Sequence, residues 1–263
     1  MSQIKQSAAD WCYYRDTVDP FTYYRRLKEI GYTGAELVPP ERWQAVKDAG
    51  LRLVNLAAPG MQKGLNRKEH YAELLPQIRA LIRLAGENEI GHIILFSGNR
   101  QGQPDEDGLK NVIAAAKELA LDAEAAGVTL ALELLNSYDH PDYQADFPAY
   151  AFEFARAVSS PAVKVLYDIY HMQRMGADPL EDILKNLEYI AHLHIAGSPK
   201  RNFPGPDQDI DYPSLVAVIH RSGYRGFWGQ EFIPSGDPFS ELEQAHRLFE
   251  SYAGQASSDQ EKA

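Results

Sequence analysis

Short runs of β-forming residues alternate with longer amphipathic patterns eight times along this chain of 263 residues. A strand that is followed by a helix and then by another strand is typical of parallel sheets, because a parallel connection has to cross back over the sheet. We predict strands over eight segments: Ile4–Ala8, Gly34–Val38, Leu51–Ala57, His92–Phe96, Thr129–Leu134, Val163–Tyr167, Ile190–Ile195 and Gly226–Glu231. We predict a helix after each of them: Pro20–Ile30, Pro40–Ala49, Lys68–Asn88, Leu109–Ala126, Phe147–Val158, Leu180–Leu187, Tyr212–Ser222 and Pro238–Tyr252.

Eight strand–helix units in about 250 residues favour the α/β class and a closed (β/α)8 TIM barrel of one domain, which we assign to residues 1–254. Gly31, Gly50 and Gly127 each follow a helical pattern at the place where a left-handed residue is favoured. An open doubly wound sheet is the alternative, but no GxGxxG motif follows the first strand. Residues 255–263 are small and polar, so we expect a disordered tail.

The charge balance narrows the choice of partners. The 37 acidic residues outnumber the 26 basic ones, and a formal net charge of -11 disfavours nucleic acid, although ordinary solubility also explains the surplus. The single cysteine, Cys12, excludes an internal disulfide and fits a reducing compartment, so we expect a cytoplasmic protein. The opening MSQIKQ lacks an apolar signal core, and no long apolar run predicts a membrane span. We expect a small-molecule partner, and the sequence leaves a homo-oligomer open.

Four ionisable residues lie at the ends of four consecutive predicted strands. They are Glu133 in TLALEL, Asp168 in VKVLYD, His194 in IAHLHI and Glu231 in GFWGQE. Side chains alternate along a strand, so Glu133 shares a face with small residues while the leucines beside it point the other way. Barrels of this kind carry their chemistry at the carboxyl ends of the strands, and we therefore expect these four side chains to converge there.

Three carboxylates in one place would repel one another unless protons or a cation neutralised them. A divalent metal ion resolves this repulsion, and an oxygen-rich set with one imidazole suits Mn²⁺ or Mg²⁺, with Co²⁺ as a further candidate. Taken singly, each residue has another interpretation: an acid at a strand end often caps the next helix, and His194 alone could be a buried structural histidine. Their occurrence on consecutive strands favours the metal site.

Other residues near these strand ends are candidates for substrate binding. His171, three residues after Asp168 in a predicted loop, could orient substrate or cap the local turn. Arg201, in the loop after the seventh strand, could clamp a carboxylate, although a solvated surface arginine is nearly as plausible. Asn136 has the same two interpretations, and Trp11 could line the pocket or pack at its rim.

The sequence around these residues resembles the sugar isomerase and epimerase superfamily of TIM barrels, and within it the hydroxypyruvate-isomerase-like proteins. The resemblance covers nearly the whole chain, in the segments IKQSAADWCYY, GYTGAELVPPERW, ILFSGNR, LALELLNSYDHPDY, LYDIYHMQ, HLHIAGSP, DIDYPSL and GYRGFWGQEFIP. It implies that the four strand-end residues bind the metal and that Glu133 and Glu231 also act as the acid/base pair. It further implies that His171 and Arg201 touch substrate. One position departs: the best-known hydroxypyruvate isomerases carry glutamine where His194 stands, and histidine there is the pattern of ketose 3-epimerases.

In this chemistry the metal binds a carbonyl oxygen and the neighbouring hydroxyl, and two glutamates move protons through an enediolate. We expect an aldose–ketose isomerase acting on a hydroxy-carbonyl compound of the hydroxypyruvate/tartronate semialdehyde type. The alternatives are a ketose 3-epimerase on a neutral keto-sugar, a keto-polyol dehydratase and a non-catalytic sugar-binding barrel. Phosphodiester cleavage fits less well, because Asn55 and Phe96 stand where additional metal-binding histidines would be expected.

Overall fold

Strand pairing is parallel in the computed structural model, which describes the backbone of residues 4–258 and the side chains of residues 4–254. Within these residues the strands are β1 (Lys5–Ala9), β2 (Gly34–Glu36), β3 (Arg52–Leu53), β4 (Asn55–Ala57), β5 (His92–Leu95), β6 (Thr129–Glu133), β7 (Val163–Asp168), β8 (Ile190–Ile195) and β9 (Phe227–Gln230). Their order in the sheet is β3-β2-β1-β9-β8-β7-β6-β5-β4. The two ends of this order, β3 and β4, are successive parts of one predicted strand that is interrupted only at Val54. When β3 and β4 are counted as one strand, the sheet has the eight parallel strands of a TIM barrel, so the predicted fold class is confirmed.

Helices separate the strands along the chain. In residues 4–258 they are α1 (Asp10–Tyr13), α2 (Pro20–Ile30), α3 (Trp43–Asp48), α4 (Tyr71–Glu87), α5 (Asp105–Ala126), α6 (Pro148–Val158), α7 (Ile169–Arg174), α8 (Pro179–Lys185), α9 (Tyr212–Arg221) and α10 (Pro238–Ser258). The sequence pattern predicts neither α1 nor α7, because four and six residues are too few for a helical period to be visible. The helices expected over 40–49 and 68–88 both begin with a 3-10 turn.

The described residues form two compact units, of which the first takes in residues 4–54, residues 178–187 and the described residues from Leu193 onward. Its core is rich in aromatic side chains. The ring of Trp228 on β9 contacts that of Phe249 on α10, with 6.3 Å between the ring centroids, and Tyr212 of α9 reaches the same phenylalanine at 5.1 Å. These contacts join α9 and α10 to the strand that precedes Glu231.

The second unit contains residues 55–177 and 188–192, and in it α4 packs on α5 and α5 packs on α6. Leu130 and Leu132 of β6 are fully buried, on the strand face opposite to Glu133, as the alternation predicts. This apolar face anchors the strand whose last residue is a candidate metal ligand. The assignment of residues 1–254 to a single domain stays a prediction.

The positions at which several helices and strands end are explained by residues with positive φ. The glycines expected to end helices have positive φ, at 125° for Gly31, 73° for Gly50 and 67° for Gly127, which confirms their predicted left-handed conformation. The second strand ends at Glu36 and not at Val38, because Leu37 has a φ of 53° and cannot continue an extended strand. The backbone of α10 continues to Ser258, and residues 259–263 of the predicted disordered tail lie outside the described residues, so that expectation stays a prediction. Among the described residues, no helix combines the length and the apolar character that a membrane span requires.

Candidate metal centre and active site

The four residues predicted as metal ligands are all buried. Their exposed fractions are 6% for Glu133, 1% for Asp168, 0% for His194 and 4% for Glu231. Glu133 and Asp168 are the last residues of β6 and β7, while His194 is the last but one of β8 and Glu231 directly follows β9. Each side chain offers one ligand atom, and these atoms all lie within 4.8 Å of one another. The cluster could therefore hold a metal ion.

The chemistry of this donor set fits a small divalent cation. Three carboxylates supply hard oxygen ligands, and His194 supplies one nitrogen. Bonds from such an ion to oxygen are about 2.1 Å long, so two ligand atoms of one ion lie at most about 4.2 Å apart, and atoms within 4.8 Å of one another need only a small shift to share one ion. A bound cation would also offset the mutual repulsion of three buried carboxylates. The residues thus fit an ion such as Mg²⁺, Mn²⁺ or Co²⁺.

Glu231 is surrounded by groups that favour its charged form. The indole Nε1 of Trp11 donates to Oε1 at 2.9 Å, and the guanidinium Nη2 of Arg201 donates to Oε2 at 2.5 Å. Nδ1 of His194 lies 3.1 Å from the same Oε2. Burial by itself would raise the pKa of the Glu231 carboxyl, but the positive charges of His194 and Arg201, together with these hydrogen bonds, hold that pKa well below its usual range. Glu231 is therefore an anion that is ready to bind a cation.

Arg201 lies against the candidate metal centre and not on the open surface. Its side chain is 17% exposed, its charge pairs with Glu231, and the guanidinium carbon lies 5.4 Å from the ring centroid of Trp11. The Arg201 backbone is left-handed, with a φ of 52°, and its carbonyl accepts a hydrogen bond from the backbone N–H of Ile233 at 2.7 Å. Trp11 itself belongs to α1 and is 50% exposed. Both predicted substrate contacts thus lie beside Glu231, and their roles toward substrate stay predictions.

His171 lies in the first turn of α7, and the prediction of a loop at this position is wrong. The reason is that the carboxylate of Asp168 caps a short helix, since its Oδ1 accepts the backbone N–H of His171 at 2.8 Å. Helix capping and metal binding are the two interpretations of Asp168 that the sequence offers, and they are compatible. A carboxylate has two oxygens, so the residue is a helix cap and a member of the buried cluster at the same time.

Asn136, which follows β6, determines which nitrogen of His171 carries the proton. The backbone N–H of Asn136 donates to Nδ1 of the imidazole at 3.1 Å, and an atom that accepts a hydrogen bond carries no proton of its own. In the neutral ring the proton is therefore on Nε2, which lies 3.6 Å from Oδ2 of Asp168. His171 is fully buried, so this arrangement directs one N–H donor toward the candidate metal centre.

One residue of the site, Glu36, is not predicted from the sequence. It is fully buried at the end of β2, and its Oε2 lies 2.9 Å from Nε2 of His194. Its Oε1 accepts a hydrogen bond from the hydroxyl of Ser7 on β1. The predicted strand over 34–38 placed this acid inside a strand and away from its end. The sequence feature that could have indicated Glu36 is a carboxylate within a predicted buried strand, because a buried charged side chain needs a partner.

A family model described as a xylose isomerase-like TIM barrel matches residues 24–252 of this chain. This is well over half of the sequence and includes every residue of the buried cluster. The chain belongs to the xylose isomerase-like TIM barrel family.

Relatives in this family carry isomerase names. The chain is 31% identical over 186 residues to a putative hydroxypyruvate isomerase of Xenopus laevis, and the alignment covers 69% of this chain and 65% of that protein. It is 35% identical over 107 residues to the hydroxypyruvate isomerase of Escherichia coli, with 41% of each chain covered. The chain thus spans less than two thirds of the length of these two relatives.

Among solved structures, an L-ribulose 3-epimerase superposes with a TM-score of 0.83 at 18% identity, covering 99% of this chain and 97% of that one, which shows the same fold. The names of the two relatives are in line with the isomerase predicted from the residues and support its hydroxypyruvate-isomerase-like character.

Proposed function

We propose that this protein is a metal-dependent isomerase that interconverts a small hydroxy-carbonyl acid of the hydroxypyruvate/tartronate semialdehyde type through an enediolate. The observation that carries the proposal is the buried cluster of three carboxylates and one imidazole. In a xylose isomerase-like chain, such a cluster provides both a cation site and glutamates for proton transfer. The names of the isomerase relatives support the reaction class.

In this proposal Glu133, Asp168, His194 and Glu231 hold the cation, which is Mn²⁺ or Mg²⁺, with Co²⁺ as a further candidate. When bound, the cation supplies positive charge that stabilises the negative charge developing on the substrate oxygens. Glu133 and Glu231 carry out the proton transfers. One glutamate removes the proton from the hydroxyl-bearing carbon, and the other manages a proton on the opposite side of the substrate. Return of the proton to the neighbouring carbon completes the aldose–ketose exchange.

The contacts of Glu231 suggest how substrate would increase its basicity. Its pKa is held low by His194 and Arg201 against the effect of burial, so it is a weak proton acceptor while Arg201 pairs with it. A substrate carboxylate would compete for the Arg201 guanidinium, which binds carboxylates well because of its planar pair of donors. Transfer of Arg201 to the substrate would raise the proton affinity of Glu231 at the moment when substrate is present. Trp11 stacks near the guanidinium and would line the same pocket.

A ketose 3-epimerase acting on a neutral keto-sugar is the second candidate. His194 favours it, because histidine at this position resembles the epimerase pattern, whereas the best-known hydroxypyruvate isomerases carry glutamine. The two reactions share the first proton removal and differ in whether the proton goes to the neighbouring carbon or returns to the same carbon from the other face.

Turnover in heavy water tests the proposed reaction. Protein with Mn²⁺ restored would be incubated with hydroxypyruvate and with a panel of neutral keto-sugars, and products would be identified by NMR. We expect conversion of the acid, with deuterium at the carbon that receives the proton, because a glutamate proton exchanges with solvent between removal and return. Turnover of a keto-sugar alone would replace the isomerase with the epimerase. Complete absence of deuterium together with evidence of hydride transfer would contradict the enediolate mechanism for both.

A further inference from the structure

The carboxylate of Glu36 lies between two partners in the first unit. Its Oε1 accepts the hydroxyl hydrogen of Ser7, and its Oε2 lies 2.9 Å from Nε2 of His194. All three side chains are fully buried. An isolated carboxylate is costly to bury, and hydrogen bonds such as these are what make its burial tolerable.

These contacts define the protonation of the imidazole. An ionised carboxylate only accepts hydrogen bonds, so the atom of His194 that faces Glu36 must carry a proton. Nδ1 is the atom that lies 3.1 Å from Oε2 of Glu231, and a cation bound at the cluster would take the place of any proton on Nδ1, because a ligating nitrogen has to offer its lone pair. The nitrogen that faces the cluster of candidate ligands is therefore Nδ1, while the N–H on Nε2 faces Glu36.

We propose that Glu36 is a positioning residue that holds His194 in the Nε2–H tautomer, so that Nδ1 is the atom presented to the metal ion. Carboxylates that fix the tautomer and ring orientation of a ligating histidine in this way are a general feature of metal sites. The inference rests on the proposed metal centre, and it assigns a role to a residue outside the four candidate ligands Glu133, Asp168, His194 and Glu231.

The backbone on either side of Glu36 is constrained. Leu37, the next residue, is left-handed with a φ of 53°, which is a strained conformation for a residue with a side chain. Two positions before Glu36, on the same face of β2, a Cβ at Gly34 would lie 2.4 Å from Cγ2 of Val54 and 2.9 Å from the ring of Phe227. β2 is thus packed so closely against Val54 and Phe227 at Gly34 that a side chain there would force these neighbours to shift.

The test measures the tautomer and the metal affinity separately. Glu36→Gln keeps the shape of the side chain but offers an amide that can donate to Nε2 and so favour the opposite tautomer. We expect this variant to bind Mn²⁺ about 10- to 100-fold more weakly in calorimetric titration of metal-free protein. Nitrogen-15 NMR of labelled histidine should show Nε2–H for His194 in the wild type and a smaller fraction of that form in the variant. The matched control is Glu250→Gln, which changes a part-buried carboxylate that bonds Gln6 and should leave the Mn²⁺ affinity unchanged.

Each outcome of these measurements either supports the proposed role of Glu36 or counts against it. Wild-type affinity and an unchanged tautomer in Glu36→Gln would overturn the role of Glu36. If the wild type itself bound no metal, the proposed function would fail, while the His194 tautomer in metal-free protein would still test the contact with Glu36. If Glu36→Gln did not fold, Ser7→Ala would replace it, because it removes only the hydrogen bond to Oε1. A several-fold loss of Mn²⁺ affinity in Ser7→Ala would support the proposal, and no loss would count against it.

Discussion

At the scale of single residues, Glu231 links the parts of the candidate site. It is a member of the buried cluster, it accepts hydrogen bonds from Trp11 and Arg201, and it lies beside Nδ1 of His194. A residue with this many charged neighbours responds to the loss of any one of them. Two consequences can be measured, one for the metal and one for the substrate.

The first concerns metal content. Replacing Glu133 by Gln together with Asp168 by Asn removes two of the three anionic members of the cluster while preserving size. We expect the purified double variant to lose bound divalent metal, because neutral amides are weak ligands for hard cations. Elemental analysis of the protein is the measurement. The control is the double variant Glu118→Gln with Asp122→Asn. These two exposed residues of α5 pair with Arg79 of α4, and the variant should retain metal at the wild-type ratio. Stoichiometric metal in the first variant would rule out this site.

The second concerns substrate charge. Arg201→Ala should lower kcat/KM for an acid substrate on the order of ten- to a hundredfold, since a lost charge-assisted contact costs about 1.5–3 kcal/mol. Turnover of a neutral keto-sugar, if any, should change much less. Arg25→Ala, an exposed arginine that pairs with Glu29 one helical turn away, is the control and should have wild-type kinetics. Unchanged kinetics of Arg201→Ala on the acid would show that the substrate class is wrong.

At the scale of elements, some of the segments between strands and helices depend on a single glycine. Gly64 has a φ of 59°, and a Cβ built there would lie 2.1 Å from the backbone of Ser97 and Gly98. Gly127, which ends α5, has a similar φ of 67°, but a Cβ there would meet nothing within 4 Å. The two positions share a backbone conformation and differ in packing, so they separate conformational strain from steric overlap.

We therefore expect Gly127→Ala to cost about 1–2 kcal/mol of the free energy of unfolding, which is the typical cost of the left-handed conformation for a residue with a Cβ. Gly64→Ala should cost clearly more, because backbone atoms at 2.1 Å cannot move aside as a flexible side chain can. Urea denaturation of both variants, followed by circular dichroism, gives the comparison. Equal losses would mean that the segment around Gly64 relaxes freely and that packing contributes nothing there.

At the scale of the whole molecule, the net charge of -11 combines with buried ionisable groups to make stability depend on pH. His246 of α10 is 6% exposed, and its ring lies 5.2 Å from that of Tyr32 between centroids. Burial lowers the pKa of this histidine below its usual value; a backbone hydrogen bond at Gly31 opposes the shift, and the nearby Arg247 charge adds to it. The folded chain therefore takes up this proton at lower pH than the unfolded chain does.

The sign of the effect follows from proton binding. Below the ordinary histidine pKa of about 6.5, the unfolded chain binds the proton and the folded chain does not, so the free energy of unfolding falls as the pH falls. His246 therefore contributes fully to the free energy of unfolding above about pH 6.5, and this contribution is lost as the pH falls towards the pKa that the histidine has in the folded chain. We expect His246→Phe to lose less stability than the wild type between about pH 7 and pH 5.5, with a difference in slope of at most about 1.4 kcal/mol per pH unit. Parallel stability curves would show that this histidine does not contribute.

Sequence patterns predicted much of this molecule because they report local properties. The alternation of strands and helices, the ends of α2 and β8, and the glycines that end helices all depend on residues close in sequence. The same holds for the members of the buried cluster, since each was recognised by its own strand. Short helices such as α7 were beyond this reasoning, because fewer than two turns show no period.

What the sequence alone determined, then, was the class of fold and the residues that come to the strand ends, because hydrophobic periodicity and side-chain alternation are encoded within each segment. What only the tertiary structure decided was how those residues meet partners from elsewhere. Glu36 and His194 are 158 positions apart, and the proton of His171 is positioned by a backbone N–H 35 positions away. Contacts of this kind depend on which strands become neighbours and on the register between them, and those are properties of packing across the sheet.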